Sequence, residues 1–190
     1  MPSISNFGHS NLGFVSDFGF SASNLSFSSP PFIKVVEHYS FTGIKHTDLY
    51  PRLIDLLKNV WRCKKIVVDS TGVGEPVAAF LKQALGHRVV PFKFTARSKS
   101  ALGFNLLAAV NSGRLKIYSG DGSLEYREMW FELDKAKSLF RPDQTFNFFV
   151  DPSEGHDDFL MSLALLVEAA GLYEPRSASG QASSTYSLVP

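Results

Sequence analysis

Between residues 32 and 170 the apolar positions of this chain keep changing rhythm, from short β-branched runs to longer stretches with apolar residues three and four apart. The first run, residues 32–41, is β-branched and aromatic and predicts a strand. Thr47 or Asp48 can then open a helix that lines up Leu49, Leu53, Leu56, Leu57 and Val60. The short apolar run Lys65–Asp69 predicts a strand covered on both faces, and Pro76 suits the first turn of a helix running to about Leu85. Residues 87–94 read as the next strand. Ser98 is the expected cap of a helix presenting Leu102, Leu106, Ala109 and Val110, closed by Gly113 before a strand over 114–118. Ser123 caps another helix, with Trp130, Leu133 and Ala136 inward. Residues 145–150 form the last strand and 157–170 a strongly apolar last helix. Such alternation predicts an α/β fold, a mixed central sheet flanked by helices, in which strands 32–41, 65–69 and 87–94 pair with one another.

The two ends differ from this middle. Residues 1–31 are a Ser/Phe-rich segment whose only Asp, Glu, Lys or Arg is Asp17, and 174–190 are small, polar and aperiodic, as a flexible tail would be. The expected organisation is therefore an atypical segment 1–31, one domain 32–173 and a tail 174–190. The chain has 190 residues, 44% of them hydrophobic, enough for one sizeable core. Nineteen Lys and Arg nearly cancel 18 Asp and Glu, so any nucleic-acid surface has to be a local patch. The single cysteine, Cys63, cannot form an internal disulfide and is expected as a buried thiol, in keeping with a reducing compartment. The sequence has no bilayer-length apolar run and no signal-like start; a soluble, cytoplasmic protein with no membrane partner is the expectation.

Chemistry concentrates in two places. Asp69-Ser70-Thr71-Gly72-Val73-Gly74 falls where a strand ends and a helix begins, the position at which open α/β sheets hold ligands. Asp69 is there either a metal ligand or a carboxylate capping the Gly-Val-Gly turn. A nucleotide-binding module is disfavoured, because no Gly-Lys-Ser/Thr follows and Val77 stands where a dinucleotide loop needs Gly or Ala. The second place is Ser153-Glu154-Gly155-His156-Asp157-Asp158, at the mouth of the last helix. One acidic residue in a first turn is explained by the helix dipole. Adjacent carboxylates repel unless a cation or solvent relieves them, so Asp157 and Asp158, with His156 to orient or ligate, suit a hard cation such as Mg²⁺ or Mn²⁺ facing Asp69.

With both motifs in view, residues 32–170 resemble the C-terminal nuclease domain of phage large terminase subunits. Asp69-Ser70-Thr71-Gly72-Val73-Gly74 is similar to the family's Asp-x-Thr-Gly-x-Gly motif, and Gly155-His156-Asp157-Asp158 to its terminal acidic motif. Pro91-Phe92-Lys93-Phe94-Thr95 with Ser98-Lys99-Ser100 matches the segment between them. The resemblance implies an RNase H-like fold and a metal-dependent endonuclease, with two Mg²⁺ or Mn²⁺ ions, that cuts concatemeric double-stranded DNA during packaging. It carries Asp69, Asp157 and Asp158 over as catalytic, metal-binding residues. Asp17 is the available counterpart of the family's first-strand aspartate, on a strand over 12–17 with 24–28 as hairpin partner; alternatively, residues 1–31 are unrelated to that strand. The portal, the small terminase subunit and a separate ATPase domain are the implied partners, and the sequence carries no Gly-x-x-x-x-Gly-Lys-Ser/Thr loop of its own. The alternative function is a non-catalytic terminase fragment that keeps the fold and its DNA or portal contacts.

Lys93, Arg97 and Lys99 follow a strand's carboxyl end and are candidate phosphate contacts or a solvated loop. Arg114, Lys116, Lys135 and Lys137 read as surface charge, the last two on a helix. His38 and His46 read as structural, and Trp61 and Trp130 as core.

Overall fold

The structure, a computed structural model, describes Gly13–Val15 and residues 32–173. Asp17, the hairpin partner expected at 24–28 and the tail 174–190 lie outside the described residues. Twelve of the elements matter here. They are β1 (Gly13–Val15), β2 (Ile33–Val35), α1 (His46–Asp55), β3 (Lys65–Asp69), α2 (Glu75–Leu85), β4 (Val89–Phe92), α3 (Ala96–Asn111), β5 (Leu115–Ile117), α4 (Leu124–Leu133), β6 (Lys137–Phe140), β7 (Phe146–Phe149) and α5 (Asp158–Gly171).

β3 is the axis of the fold. It pairs in parallel with β4, from Ile66 opposite Val89 to Asp69 opposite Phe92, and antiparallel with β1, from Gly13 opposite Val67 to Val15 opposite Lys65. Its side chains alternate as the pleat requires. Ile66 and Val68 enter a core with Leu53 and Leu57 beneath α1 and Ala78, Leu81 and Leu85 of α2, while Val67 enters the opposite core with α3, α5 and β7. A strand buried on both faces is thus the apolar run expected at Lys65–Asp69. Pro91 fits β4 because β4 is the sheet's edge, where no second neighbour needs its missing N–H.

α5 carries the second core. Residues 159–167 are buried all round, as in a helix enclosed on every side, and it packs against β1, β3, α3 and α4. α3 lies close on β7: a Cβ on Gly103 would stand 2.6 Å from the rings of Phe146 and Phe148, and the buried Ser100 hydroxyl accepts the Phe146 N–H at 2.9 Å.

Several expectations are corrected. The strand read over 32–41 is only Ile33–Val35, and it pairs in parallel with β5 rather than with β3 and β4, so the described strands fall into three small sheets. After Val35 the chain leaves the ladder to place its polar and aromatic residues individually; Tyr39 OH, for example, accepts the Trp61 indole N–H at 2.9 Å. α3 starts earlier than expected, because Thr95 and not Ser98 caps it. Thr95 Oγ1 accepts from Ser98 N at 3.1 Å and Ser98 Oγ accepts from Thr95 N at 2.8 Å, a reciprocal capping box. Ser123 does cap α4, accepting from Tyr126 N at 3.1 Å, but Met129 is the fully buried residue of that helix and Trp130 is 45% exposed. Val60, expected inward, is 58% exposed, since the turn that ends α1 widens over Leu56–Val60 and rotates it out. α4 stops at Leu133, so Lys137 starts a strand, β6, that the sequence reading omitted. Cys63 is buried as expected, and burial pushes its thiol up to about 11. No helix among the described residues is long and apolar enough to cross a membrane.

Candidate active site

Asp69 ends the middle strand of its sheet and is half-buried. Its Oδ1 accepts the Thr71 N–H at 2.7 Å, so the turn expected from the Gly-Val-Gly spacing does form around the carboxylate, and Oδ2 takes no hydrogen bond among the described residues. Two glycines make that turn possible. Gly72 has φ +55, and a Cβ on Gly74 would stand 2.6 Å from the Asp69 carbonyl oxygen, a backbone atom that cannot step aside.

The loop is then tied to the end of β4. Ser70 N donates to Phe92 O at 2.8 Å, and the Thr71 hydroxyl accepts the Phe94 N–H at 2.9 Å. Phe94 leads directly into Thr95, the cap of α3, and Lys99 in the next turn reaches the other motif: its Nζ lies 3.7 Å from Asp157 Oδ2. A continuous series of contacts therefore runs from Asp69 through Thr71, Phe94 and the first turn of α3 to Asp157.

Electrostatics at that junction are those of a partly dehydrated pair. Burial is the largest influence on the Asp157 carboxyl and raises its pKa; Lys99 opposes this and the neighbouring Asp158 adds to it. Burial likewise lowers the pKa of the Lys99 ammonium, against the pull of Asp157. Lys99 also lies 5.4 Å from the centre of the Phe148 ring. It is thus engaged on both sides, whereas Lys93 and Arg97 are exposed. Lys93 contributes its carbonyl, which accepts from Ser98 Oγ at 2.8 Å.

The loop ahead of Asp157 is held by lysines that the sequence reading left as surface charge. Asp151 Oδ1 accepts from Ser153 N at 3.0 Å and Ser153 Oγ at 2.7 Å, closing a turn. Lys137 pairs with Glu154 and, at 3.7 Å, with Asp151, and Lys135 lies 3.9 Å from Glu154. Sequence spacing gave no sign of these pairs, because β6 itself was not foreseen. His38, read as structural, packs edge-on against Phe159 at 5.4 Å and meets the Tyr118 hydroxyl at 3.3 Å.

Among the described residues, no three His, Cys, Asp or Glu side chains converge closely enough to hold a metal ion. The donor chemistry nevertheless suits a hard cation: an Asp69 carboxylate whose Oδ2 takes no hydrogen bond among the described residues, and the adjacent carboxylates of Asp157 and Asp158.

The mixed α/β arrangement, helices packed with small sheets, is that of the RNase H-like class of folds. Within that class the fold is that of a phage large terminase nuclease domain. The crystal structure of the large terminase nuclease from thermophilic phage G20c aligns with a TM-score of 0.53 at 24% identity, over 70% of this chain and 66% of that one. The same nuclease with bound magnesium aligns with a TM-score of 0.52 at 26% identity, over 70% of this chain and 64% of that one. The alignment thus spans just under two thirds of those nucleases. No protein-family model and no curated protein matches the sequence.

Proposed function

We propose that this chain is the metal-dependent endonuclease domain of a viral DNA-packaging terminase large subunit, hydrolysing phosphodiester bonds of concatemeric double-stranded DNA. The observation that carries this reading is the series of contacts from Asp69 to Asp157 through the start of α3. It joins the motifs whose carboxylates the chemistry needs. Magnesium bound to the similar phage nuclease supports the choice of cation. In this reading Asp69, Asp157 and Asp158 would supply ligands to two Mg²⁺ or Mn²⁺ ions, with His156 orienting or ligating and Asp17 as the first-strand carboxylate, although the described side chains do not by themselves form a three-ligand cluster. The ions, when bound, supply an activated water and charge stabilisation for the leaving oxygen. The protein's own part is to hold Asp69 fixed through Thr71, to keep Asp157 ionised through Lys99, and to present Lys93 and Arg97 to phosphate. The portal, the small subunit and a separate ATPase domain are its proposed partners in packaging, in the cytoplasm of a bacterial host.

A second reading, a non-catalytic fragment retaining DNA or portal contacts, is favoured by a specific observation. β1 runs antiparallel to β3, so Val15 lies opposite Lys65, at the end of the strand away from Asp69. Thermal unfolding with and without Mn²⁺ separates the two. Under the nuclease reading, millimolar Mn²⁺ raises the melting temperature and Asp69→Asn removes most of the gain. An unchanged melting temperature in the parent favours the fragment.

A further inference from the structure

Residues 150–157 carry the chain from the end of β7 to Asp158, the first residue of α5, and so place the acidic pair. Their first turn closes on Asp151. Its carboxylate accepts the Ser153 N–H and hydroxyl, and its carbonyl accepts the Glu154 N–H at 2.8 Å and the Gly155 N–H at 3.2 Å. Those bonds shape the turn without fixing it to its neighbours. The Glu154 side chain does that, because its two oxygens face lysines from two different places in the fold. Oε1 lies 3.9 Å from Lys135 Nζ, between α4 and β6, and Oε2 accepts from Lys137 Nζ at the start of β6. Lys137 also reaches Asp151 at 3.7 Å, and the ladder sets it opposite Phe149, the last residue of β7 before the loop departs.

Singly these contacts are weak, since the four side chains are between 29% and 45% exposed and solvent screens them. Joined in a network they order one another, because a side chain already held by one partner loses less freedom to the next. Their contribution is therefore to position more than to stability, and what they position is the loop three residues ahead of Asp157. Lys99 meets Asp157 itself, from α3. Resting on the nuclease reading above, we propose that Glu154 is a positioning residue: gripped by Lys135 and Lys137, it ties the loop to β6 and sets where Asp157 and Asp158 offer their carboxylates to the cation.

Hydrogen exchange of the metal-free full chain and Mn²⁺-dependent melting test this together. Glu154→Gln keeps the shape and removes the charge. The amides of residues 153–155 should then exchange several-fold faster, and so should that of Met161, which bonds to the Asp157 carbonyl at 3.0 Å and reports where Asp157 sits. Leu165, buried further along α5, should keep the parent rate. The metal-free melting temperature should fall by no more than about 2 °C, while the Mn²⁺ concentration giving half the melting shift rises several-fold. Lys137→Gln should act in the same direction and add little to Glu154→Gln, and Lys137→Arg, which keeps the charge, should restore the parent values. A parent-like Mn²⁺ midpoint in Glu154→Gln overturns the inference whatever the loop amides do, because the ion pairs would then hold the turn without placing the carboxylates. A parent with no Mn²⁺ shift at all overturns the nuclease reading instead. Met161 then decides: faster exchange in Glu154→Gln upholds the placement of Asp157 by Glu154, and a parent-like rate overturns it.

Discussion

Lys99 and Asp157 meet at 3.7 Å where the first turn of α3 faces the start of α5, and each pulls the other's pKa back toward its ordinary value while burial pushes it away. Burial wins on both sides. The pair therefore does more to align two elements than to stabilise the fold, and the aligned elements are those that carry the candidate site.

Lys99→Met keeps the stem that covers Phe148 and removes the charge. With its pairing partner gone, the Asp157 carboxyl should rise further above its usual range. A carboxylate must be ionised to ligate a metal. The Mn²⁺ gain in melting temperature should then be lost as pH falls through the raised Asp157 pKa, and at a higher pH in Lys99→Met than in the parent. The metal-free variant should melt a few degrees lower, corresponding to about 1 kcal/mol. Coincident pH profiles for parent and variant would sink the assignment of Asp157 to the metal site.

Gly74→Ala and Gly72→Ala separate steric contact from backbone strain. At Gly72 the new methyl group meets nothing within 4 Å and only the positive φ is strained, a cost of about 1 kcal/mol. At Gly74 the methyl meets the Asp69 carbonyl at 2.6 Å, and the shift it forces should cost about 1–3 kcal/mol. Because the displaced residue is Asp69, Gly74→Ala should also weaken the Mn²⁺ response. Chemical denaturation of the two variants, with and without Mn²⁺, checks both claims; equal losses at the two glycines would contradict them.

Much of this was legible in the sequence for a simple reason. Lys65–Asp69 is apolar on both faces because two cores lie against it, and the Gly-Val-Gly loop announces the turn around Asp69. α5 was legible because its whole circumference is apolar. The misses share a cause: they depend on partners distant in sequence. All four residues of β6 are exposed, so no period marked it, and only pairing with β7 makes it a strand. Trp130 looked like core because it is large and apolar, yet the rotation of α4 gives the buried place to Met129. Thr95 and Ser98 are both good caps, and the choice falls to the one that can bond reciprocally with the other. At the candidate site, the turn closed by Asp69 was legible, whereas the Lys99–Asp157 pair and the Lys135 and Lys137 contacts to the loop before Asp157 were not.

His38 offers a pH test. Burial lowers its pKa to about 4, against the pull of Asp121 and Glu125, from 6.5 in the unfolded chain. The unfolded chain therefore binds the extra proton first. This contribution to stability is fully present above pH 6.5 and drains away as pH falls to about 4. It amounts to at most about 3 kcal/mol over that window. His38→Phe can keep the edge-on contact with Phe159 and should flatten this part of the profile, at the expense of about 1 kcal/mol near neutrality for the lost Tyr118 hydrogen bond. Urea midpoints at pH 4, 5.5 and 7 should thus converge in the variant relative to the parent; an unchanged acid loss would assign it to other groups.

Asp17 decides between the two functional readings, and it can be examined without knowing its position. If it completes the site, the chain should nick plasmid DNA in Mn²⁺, and Asp17→Ala, Asp69→Ala and Asp158→Ala should each abolish cutting, because a two-metal clamp fails when any shared ligand is lost. If residues 1–31 are instead unrelated to the first strand, Asp17→Ala should match the parent, whether the parent cuts weakly or not at all. Arg97→Ala, at an exposed position in the first turn of α3, should weaken duplex binding and lower its salt slope by about 0.9 without changing the Mn²⁺ effect on melting. Cutting that persists in Asp69→Ala, or in excess chelator, would remove the metal-nuclease reading altogether and leave only the fold of the terminase nuclease type.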